Sequence, residues 1–344
     1  MTSYSSHLLF VMQSGPRFSI LLVLFVLAVL PAKAQPLQPE NEENSRMIQA
    51  YTFYLKQKLS LEYVISQFPN LKDKAEGAMN EWNREFLPSV TSIDSVLAIS
   101  LKDEWKKNKD ELYDKFIHVD NSNVTEENAK DYINVVNDRS FGHIQTPVME
   151  TFLVWQPDYR IHPENEFTDG YTVSFLTKNK RSQLPVNIKL HYPRSWRALD
   201  GNKKSNIIQT FTSGYGLGNV MLALTIEKSR TPFTKDKINA QLSKEGMLKT
   251  QPSGCSVVSY KPDLQIDNCK ASSITVAFEK EIKEVGKSFY TNDSYTFFYK
   301  EFKITLCFTI ASKTRDEVNA TFLTYQKLIK RMVDSVVVLS QWGQ

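Results

Sequence analysis

Three cysteines have the spacing that points most directly to a covalent bond. Cys255 and Cys269 stand at the outer ends of two apolar segments that flank the turn-forming residues 261–263. If these segments fold back on each other about Pro262 as an antiparallel hairpin, the two cysteines are opposed, with Cα atoms about 4.5–5.5 Å apart, which a disulfide can span. We therefore predict a Cys255–Cys269 disulfide, with three reduced cysteines as the alternative. Cys307 should remain a free thiol in an apolar strand.

A second group of chemically capable residues surrounds two histidines. His162 and His191 lie near Asp158, Glu164 and Asp169 in the sequence, and imidazole and carboxylate groups together bind metal ions or transfer protons. An exported enzyme, hydrolase-like or metal-dependent, is therefore one hypothesis for this region. The competing interpretation is scattered surface histidines, because His191 falls on the polar face of its predicted strand. We assign no catalytic, cofactor-binding or metal-binding residue from the sequence.

Two glycine-containing motifs resemble nucleotide-binding loops but lack the context that such loops require. Residues 214–218 read Gly-Tyr-Gly-Leu-Gly, yet residues 220–226 have the composition of a buried strand, and phosphate binding needs a helix there. We predict a hairpin connection instead. Residues 286–288 read Gly-Lys-Ser, but position 281 is Glu where a phosphate-binding loop has glycine. The Gly-x-Ser-x-Gly and His-Glu-x-x-His patterns of hydrolases do not occur in the sequence.

The first 34 residues have the organisation of a secretory signal peptide. Arg17 precedes an uncharged apolar run, residues 18–30, and a proline separates this run from the small-x-small sequence Ala32-Lys33-Ala34. A helix of this length reaches about 20 Å, less than the roughly 30 Å of a bilayer's hydrocarbon core. We predict cleavage after Ala34 and export to the periplasm or the extracellular space. An uncleaved N-terminal anchor is the alternative.

Composition limits the class of partner. The formal net charge is +4, and it falls to +2 when the signal peptide, with Arg17, Lys33 and no acidic residue, is removed. Nucleic-acid and anionic-membrane surfaces normally carry a clustered excess of basic residues, so neither partner is expected. No later segment is apolar for long enough to span a membrane after cleavage. With 41% hydrophobic and 12% aromatic residues, the chain is typical of a globular protein.

The chain after the cleavage site should begin with a flexible polar leader, residues 35–45, and continue as a helical domain over residues 46–138. Apolar residues recur in this domain at spacings of three and four, as on one face of amphipathic helices. Pro69 and Pro88 should each end a helix. Residues 139–168, where the composition changes, are predicted to connect this domain to the next.

Residues 169–340 should form an α+β domain built on an antiparallel sheet. Their segments alternate apolar and polar residues and are separated by Gly, Pro, Asn and Asp. One helix, residues 235–248, is predicted in the middle of the domain. A long helix closes it, because the apolar residues from Val318 to Val336 form one stripe about five turns long. Such a stripe must pack on an apolar surface, and we expect that surface to be the sheet.

The residues Tyr192-Pro193-Arg194-Ser195-Trp196, at the end of a predicted strand, carry a resemblance to a known fold family. They are followed by a short hairpin, the mid-domain helix, further antiparallel strands and the closing helix. This order is similar to that of the PsbP/Mog1-like α/β sandwich, in which a strand commonly ends in a Tyr-Pro-x-x-Trp-like turn. The resemblance covers about residues 169–340. It implies a non-catalytic binding or assembly factor, and no active-site residue carries over from it.

Three hypotheses for function follow. The first is an exported, non-catalytic binding or assembly protein that needs no cofactor and binds an unknown protein or small-molecule ligand. The second is the enzyme centred on His162 and His191. The third is a structural partner in an envelope assembly, with the N-terminal helices as the interaction element. A deep pocket with converging histidines and carboxylates would favour the second, whereas a shallow surface with exposed apolar residues would favour the others.

Overall fold

A computed structural model describes residues 39–119, 123–179, 186–201, 206–282 and 286–343. The predicted signal peptide and its cleavage site lie outside these ranges. Within them, no helix combines the length and the apolar character that crossing a membrane requires. The described chain has two large hydrophobic cores, one among the N-terminal helices and one in the sheet region.

The N-terminal core is built by long helices. They are α1, Pro39–Gln67; α2, Lys72–Leu101; α3, Asp103–Ile117; and α4, Glu126–Ser140. Helix α1 packs along α2, and α4 packs against both. Trp82 of α2 is fully buried and contacts the rings of Phe53, Tyr54 and Phe86. Aromatic side chains thus supply much of the apolar surface that holds these helices together.

Two predicted boundaries in the helical region are wrong. Helix α1 already begins at Pro39, so residues 39–45 are helical and do not form a flexible leader. Helix α2 continues through Pro88, where a helix end was predicted. A proline inside a helix costs about 3 kcal/mol. The buried face of α2 continues beyond this proline at Ile93 and Leu97, and the burial of these side chains offsets the cost.

The segment predicted as a connector, residues 139–168, contains short helices. They are α5, Met149–Trp155; α6, Pro157–Ile161; and α7, Pro163–Thr168. Helix α5 buries Phe152 in the helical core, where its ring lies 4.9 Å from that of Phe86. Helix α7 places Phe167 against the core of the sheet region. The chain therefore passes from one core to the other between α5 and α7.

The sheet region contains strands, two mid-domain helices and a closing helix. The elements are β1, Thr172–Leu176; β2, Ile188–Pro193; β3, Arg197–Asp200; β4, Ile207–Thr212; β5, Val220–Lys228; α8, Lys235–Leu242; α9, Lys244–Leu248; β6, Ser256–Ile266; β7, Cys269–Ile282; β8, Gly286–Tyr299; β9, Phe302–Ser312; α10, Arg315–Asp334; and β10, Val337–Val338. The smaller sheet has the order β1-β2-β10, and the larger has the order β3-β4-β5-β9-β8-β7-β6. Neighbouring strands are antiparallel.

The predicted α+β architecture, with the closing helix packed on the sheet, is confirmed. Helix α10 lies against β8 and β9 and buries Val318, Ile329 and Met332. The predicted mid-domain helix is divided into α8 and α9 at Ser243, whose hydroxyl accepts a hydrogen bond from the backbone N–H of Gly246 at 3.1 Å. A hydroxyl that caps a new helix start explains the division.

Residues 295–310 are divided between two strands. The first part belongs to β8 and the second part to β9, and these strands form a hairpin in which Tyr299 faces Phe302. Lys300 between them has a φ of 51°, the left-handed conformation that tight hairpin turns require. The alternation of apolar residues in the sequence changes phase between Tyr299 and Phe302 because a turn separates the two strands.

The predicted Cys255–Cys269 disulfide is absent, and both thiols are free. The assumed hairpin about Pro262 is wrong, because β6 runs through this proline with a shift in register. An edge strand such as β6 tolerates a proline at an irregularity. Its eleven residues span about 35 Å and separate the two cysteines far beyond the roughly 7 Å limit between bridged Cα atoms.

The turn between β6 and β7 lies at Asp267 and Asn268, both with positive φ, 42° and 62°. Asp and Asn tolerate this conformation better than other side chains. The turn places Cys269 opposite Ile266. Burial raises the pKa of the Cys269 thiol to about 11, so this thiol stays protonated and unreactive near neutral pH. Cys307, in β9, is free as well.

Gln209 of β4 is a buried polar side chain in the sheet core. It is fully buried, and neither its amide nitrogen nor its amide oxygen has a hydrogen-bond partner in the described part of the chain. Leaving buried polar groups unpaired costs about 1–3 kcal/mol.

We expect Gln209→Met, which keeps the length of the side chain, to raise the free energy of unfolding by about 1–3 kcal/mol. Chemical denaturation measures this change, and the exposed Gln265→Met serves as the control. A destabilised Gln209→Met protein would mean that the amide has a partner.

Candidate functional site

Polar contacts join the two cores around the strand end that carries the Tyr-Pro-x-x-Trp-like turn. The Nε of Arg194, in this turn, donates to Oε1 of Glu150 in α5 at 3.0 Å. The hydroxyl of Tyr171, just before β1, donates to Oε1 of Glu85 in α2 at 2.5 Å. Because both acceptors belong to helices of the N-terminal core, the turn and the start of β1 lie at the boundary between the helical and the sheet region.

The glycine-rich loop, residues 214–218, contributes to the same boundary. It connects β4 to β5, which confirms the predicted hairpin connection. The backbone N–H of Tyr215 donates to the carbonyl oxygen of Ser195 at 2.7 Å. The guanidinium group of Arg46, in α1, donates to the carbonyl oxygen of Tyr215 at 3.2 Å and lies 4.8 Å from the centre of its ring. The loop thus connects α1 to the sheet region through Arg46. It is followed by a strand and not by the helix that a phosphate-binding loop requires.

A buried carboxylate fixes the Tyr-Pro-x-x-Trp-like turn from the other side. Glu166 of α7 accepts hydrogen bonds from the backbone N–H of Ser195 at 2.7 Å and from its hydroxyl at 2.6 Å. Burial raises the pKa of Glu166 to about 7, although hydrogen bonds from Ser195 and Arg194 and the positive charge of Arg194 act in the opposite direction. This carboxyl group is enclosed and positions the turn, so it is not accessible to a ligand.

A cleft of about 390 Å³ opens where these contacts meet. One wall consists of Met149 and residues 141, 142 and 144–146, and the other consists of residues 169–172 and Arg194. Phe141 and Ile144 expose 53% and 38% of their surface, so the helical wall presents apolar groups to the cleft. The volume falls within the range of roughly 300–1,000 Å³ that is usual for ligand sites.

Arg194 is the basic residue among those that line the cleft, and its charge is paired with that of Glu150. Its Nε is held by Glu150, whereas its two terminal nitrogens form no hydrogen bond within the described residues. The carboxylate of Asp169, on the same wall, is engaged by the hydroxyl of Tyr159 at 2.9 Å. The cleft can therefore present two charge-assisted N–H donors to an acceptor such as a carboxylate, beside apolar side chains.

The structure does not bring the predicted histidine cluster together. His162 is exposed between α6 and α7. His191 lies in β2, and its Nδ1 is 3.3 Å from the hydroxyl of Ser174. Asp158 accepts a hydrogen bond from the side-chain amide of Asn165 at 2.8 Å. Among the residues that the structure describes, no group of three or more His, Cys, Asp or Glu side chains could hold a metal ion.

Comparisons with known proteins give a fold resemblance only. No family model matches the sequence, and no curated protein matches it. A structure from Bacteroides thetaiotaomicron is 12% identical, with a TM-score of 0.28, and the match covers 44% of each chain. This chain therefore spans less than half the length of that protein.

Two further solved structures belong to proteins with names. Cyanobacterial PsbP (CyanoP) from Synechocystis is 12% identical over 49% of this chain and 92% of its own, with a TM-score of 0.30. The Ran-binding protein Mog1p from Saccharomyces cerevisiae is 10% identical over 44% of this chain and 90% of its own, also with a TM-score of 0.30. The chain resembles both proteins weakly, over about half of its length.

The cleft was not found from the sequence. The Tyr-Pro-x-x-Trp-like turn indicated a fold, but nothing in its spacing showed that Arg194 would meet residues 141–146 of the helical region. Those residues belong to the segment predicted as a connector, where Phe141 and Ile144 interrupt an otherwise polar stretch. Exposed apolar residues in such a stretch are the signal that could have directed attention to this wall.

Proposed function

We propose that this chain is an exported, non-catalytic binding or assembly protein whose ligand occupies the cleft between the helical and the sheet region. The observation that carries the proposal is the combination, in one cleft, of an exposed apolar wall and an arginine whose two terminal nitrogens form no hydrogen bond with any described residue. Ligand sites generally combine apolar surface with a few polar groups that fix orientation. Export is supported by the apolar run at residues 18–30 and the small-x-small sequence that follows it.

The enzyme centred on His162 and His191 is the less supported alternative. The one carboxyl group with a strongly raised pKa near this region, Glu166, is enclosed by its own hydrogen bonds. The two histidines lie apart from it, one exposed at a helix boundary and one against Ser174. Catalysis by proton transfer needs an accessible acid or base with a partner to orient it, and the cleft offers binding groups instead.

Saturation-transfer NMR with a library of small carboxylates, amines and neutral amides tests the proposal. We expect apolar carboxylates to bind the wild-type protein and to lose most of their signal in Thr172→Trp, because the indole fills the wall from which Thr172 lines the cleft. Thr231→Trp, in an exposed loop away from the cleft, is the matched control and should bind like the wild type. Circular dichroism confirms that both variants fold.

Two results would contradict the proposal. One is that no member of the library binds the wild-type protein. The other is that the bound members keep their full signal in a correctly folded Thr172→Trp protein, since they would then occupy another surface.

A further inference from the structure

Among the residues that the structure describes, strand β1 pairs with another strand along one edge only. In the strand order of the smaller sheet it neighbours β2 alone. The carbonyl oxygen of Tyr171 accepts a hydrogen bond from the backbone N–H of Arg194 at 2.9 Å, and these two residues are opposed in the same register as Thr172 and Pro193. Opposed residues in an antiparallel pair alternate between exchanging backbone hydrogen bonds and not exchanging them.

This alternation decides which backbone groups of β1 face outward. The backbone carbonyl of Tyr171 forms a hydrogen bond with β2. By the same alternation the backbone groups of Val173 and Phe175, two and four residues later, also face β2. The N–H and C=O groups of Ser174 consequently point away from β2. The C=O of Thr172 and the N–H of Leu176 point in the same direction. These groups form a template onto which another extended chain can add as a strand.

The outer edge of β1 begins at the cleft. Thr172, the first residue of β1, and residues 169–171 before it line the cleft, so a strand added antiparallel to β1 runs from Leu176 toward the cleft and ends inside it. The groups that it meets there are the free terminal nitrogens of Arg194 and the exposed side chains of Phe141 and Ile144. The terminal nitrogens of an arginine can donate two hydrogen bonds to a terminal carboxylate even while its Nε is paired with Glu150, and the apolar wall is complementary to the side chain beside that carboxylate.

We propose that β1 and the cleft bind the extended C-terminal tail of a partner polypeptide. The tail adds as a strand antiparallel to β1, its carboxylate is held by Arg194, and its last side chain, an apolar one, packs against Phe141 and Ile144. Because β1 has five residues, about five residues of the tail take part. This inference rests on the proposed function of the cleft as a binding site and names the class of ligand.

An array of fluorescein-labelled pentapeptides tests the inference. The peptides vary at the last residue, and each is made with a free carboxylate and with an amidated end. We expect free peptides ending in Leu, Ile, Val, Met or Phe to bind in fluorescence polarisation. Amidation should weaken binding about tenfold or more, because it removes the charge-assisted hydrogen bonds to the guanidinium group.

Two variants separate the contributions of the edge and the cleft. Ser174→Pro removes the outward N–H, and an edge strand tolerates proline at such a position, so binding should fall about tenfold while Ser174→Ala binds like the wild type. Arg194→Gln should bind free and amidated peptides equally weakly, whereas the exposed Arg230→Gln should keep the preference for the free carboxylate.

The inference is overturned if no peptide of the array binds, if amidated peptides bind as well as free ones, or if a folded Ser174→Pro protein binds normally. Binding of small carboxylates in the cleft without binding of peptides overturns the tail as the ligand and leaves the proposed function standing. If neither the small carboxylates nor the peptides bind, both fail.

Discussion

Replacing Trp82 with alanine should lower the stability of the helical region by about 3–5 kcal/mol and leave the sheet region folded. The indole is fully buried, and its ring lies 4.3 Å from that of Phe86 and 6.2 Å from that of Tyr54. The cavity left by a residue of this size cannot close without moving α1 and α2. The sheet region has a separate core, so its own packing is unchanged.

Hydrogen exchange measured by mass spectrometry follows peptides from α2 and from β8 in the same sample. In Trp82→Ala we expect loss of protection in α2 and retention in β8. Phe297→Ala, which truncates a fully buried ring of the sheet core, is the matched variant and should show the reverse pattern. Equal loss of protection in both elements in either variant would contradict two separately stable regions and show one cooperative unit.

The second large effect concerns pH and the carboxyl group of Glu166. Burial holds the pKa of Glu166 in the folded protein at about 7, whereas the ordinary value of a glutamic acid is 4.5. Between these values the folded chain keeps a proton that the unfolded chain has released. Stability from this group is therefore fully present below pH 4.5 and is lost as the pH rises through 7. Each pKa unit corresponds to 1.36 kcal/mol, so the loss is about 3 kcal/mol.

Glu166→Gln separates this contribution from those of other titrating groups. A glutamine accepts the hydrogen bond from the backbone of Ser195 and stays neutral at every pH. The free energy of unfolding of the variant, relative to the wild type, should rise by about 3 kcal/mol between pH 4.5 and pH 8 in urea titrations. The exposed Glu281→Gln should show no such rise. A constant difference between Glu166→Gln and wild type would mean that Glu166 has the same pKa in the folded and the unfolded protein.

Helices and strands could be predicted from the sequence where apolar residues recur at a regular spacing over many residues. Such a spacing places the apolar residues on one face of a helix or strand, and that face must be buried. The stripe of apolar residues from Val318 to Val336 is buried when the segment forms a helix that packs on an apolar surface, and α10 packs in this way on β8 and β9. The hairpin at residues 214–218 was similarly determined by the apolar strands on either side. In both cases the competing structures would have exposed the apolar face to water.

The predictions that failed depended on the tertiary environment. Pro262 resembles a turn in the sequence, but its place on an edge strand allows β6 to continue past it. Pro88 resembles a helix end, but the buried face of α2 extends beyond it. Pro157 and Pro163 each begin a short helix, a position that favours proline. This signal was present in the segment predicted as a connector.

The cleft could not be predicted, since its walls come from parts of the chain that are distant in sequence. Residues 141–146 follow α4, whereas Arg194 follows β2. They meet because Glu150 and Glu166 hold the turn from two sides. No spacing within either segment indicates the other, so only the three-dimensional contacts reveal the site.

The order of the strands has a consequence for how the chain acquires its structure during synthesis. The hairpins β6-β7, β7-β8 and β8-β9 join neighbouring segments, so they can form early and with little loss of chain entropy. The smaller sheet is different, because Ile188 of β2 pairs with Val338 of β10. The third strand of this sheet is therefore added only after nearly the whole chain has left the ribosome. Until then β1 and β2 form a two-stranded antiparallel pair, which is only marginally stable by itself.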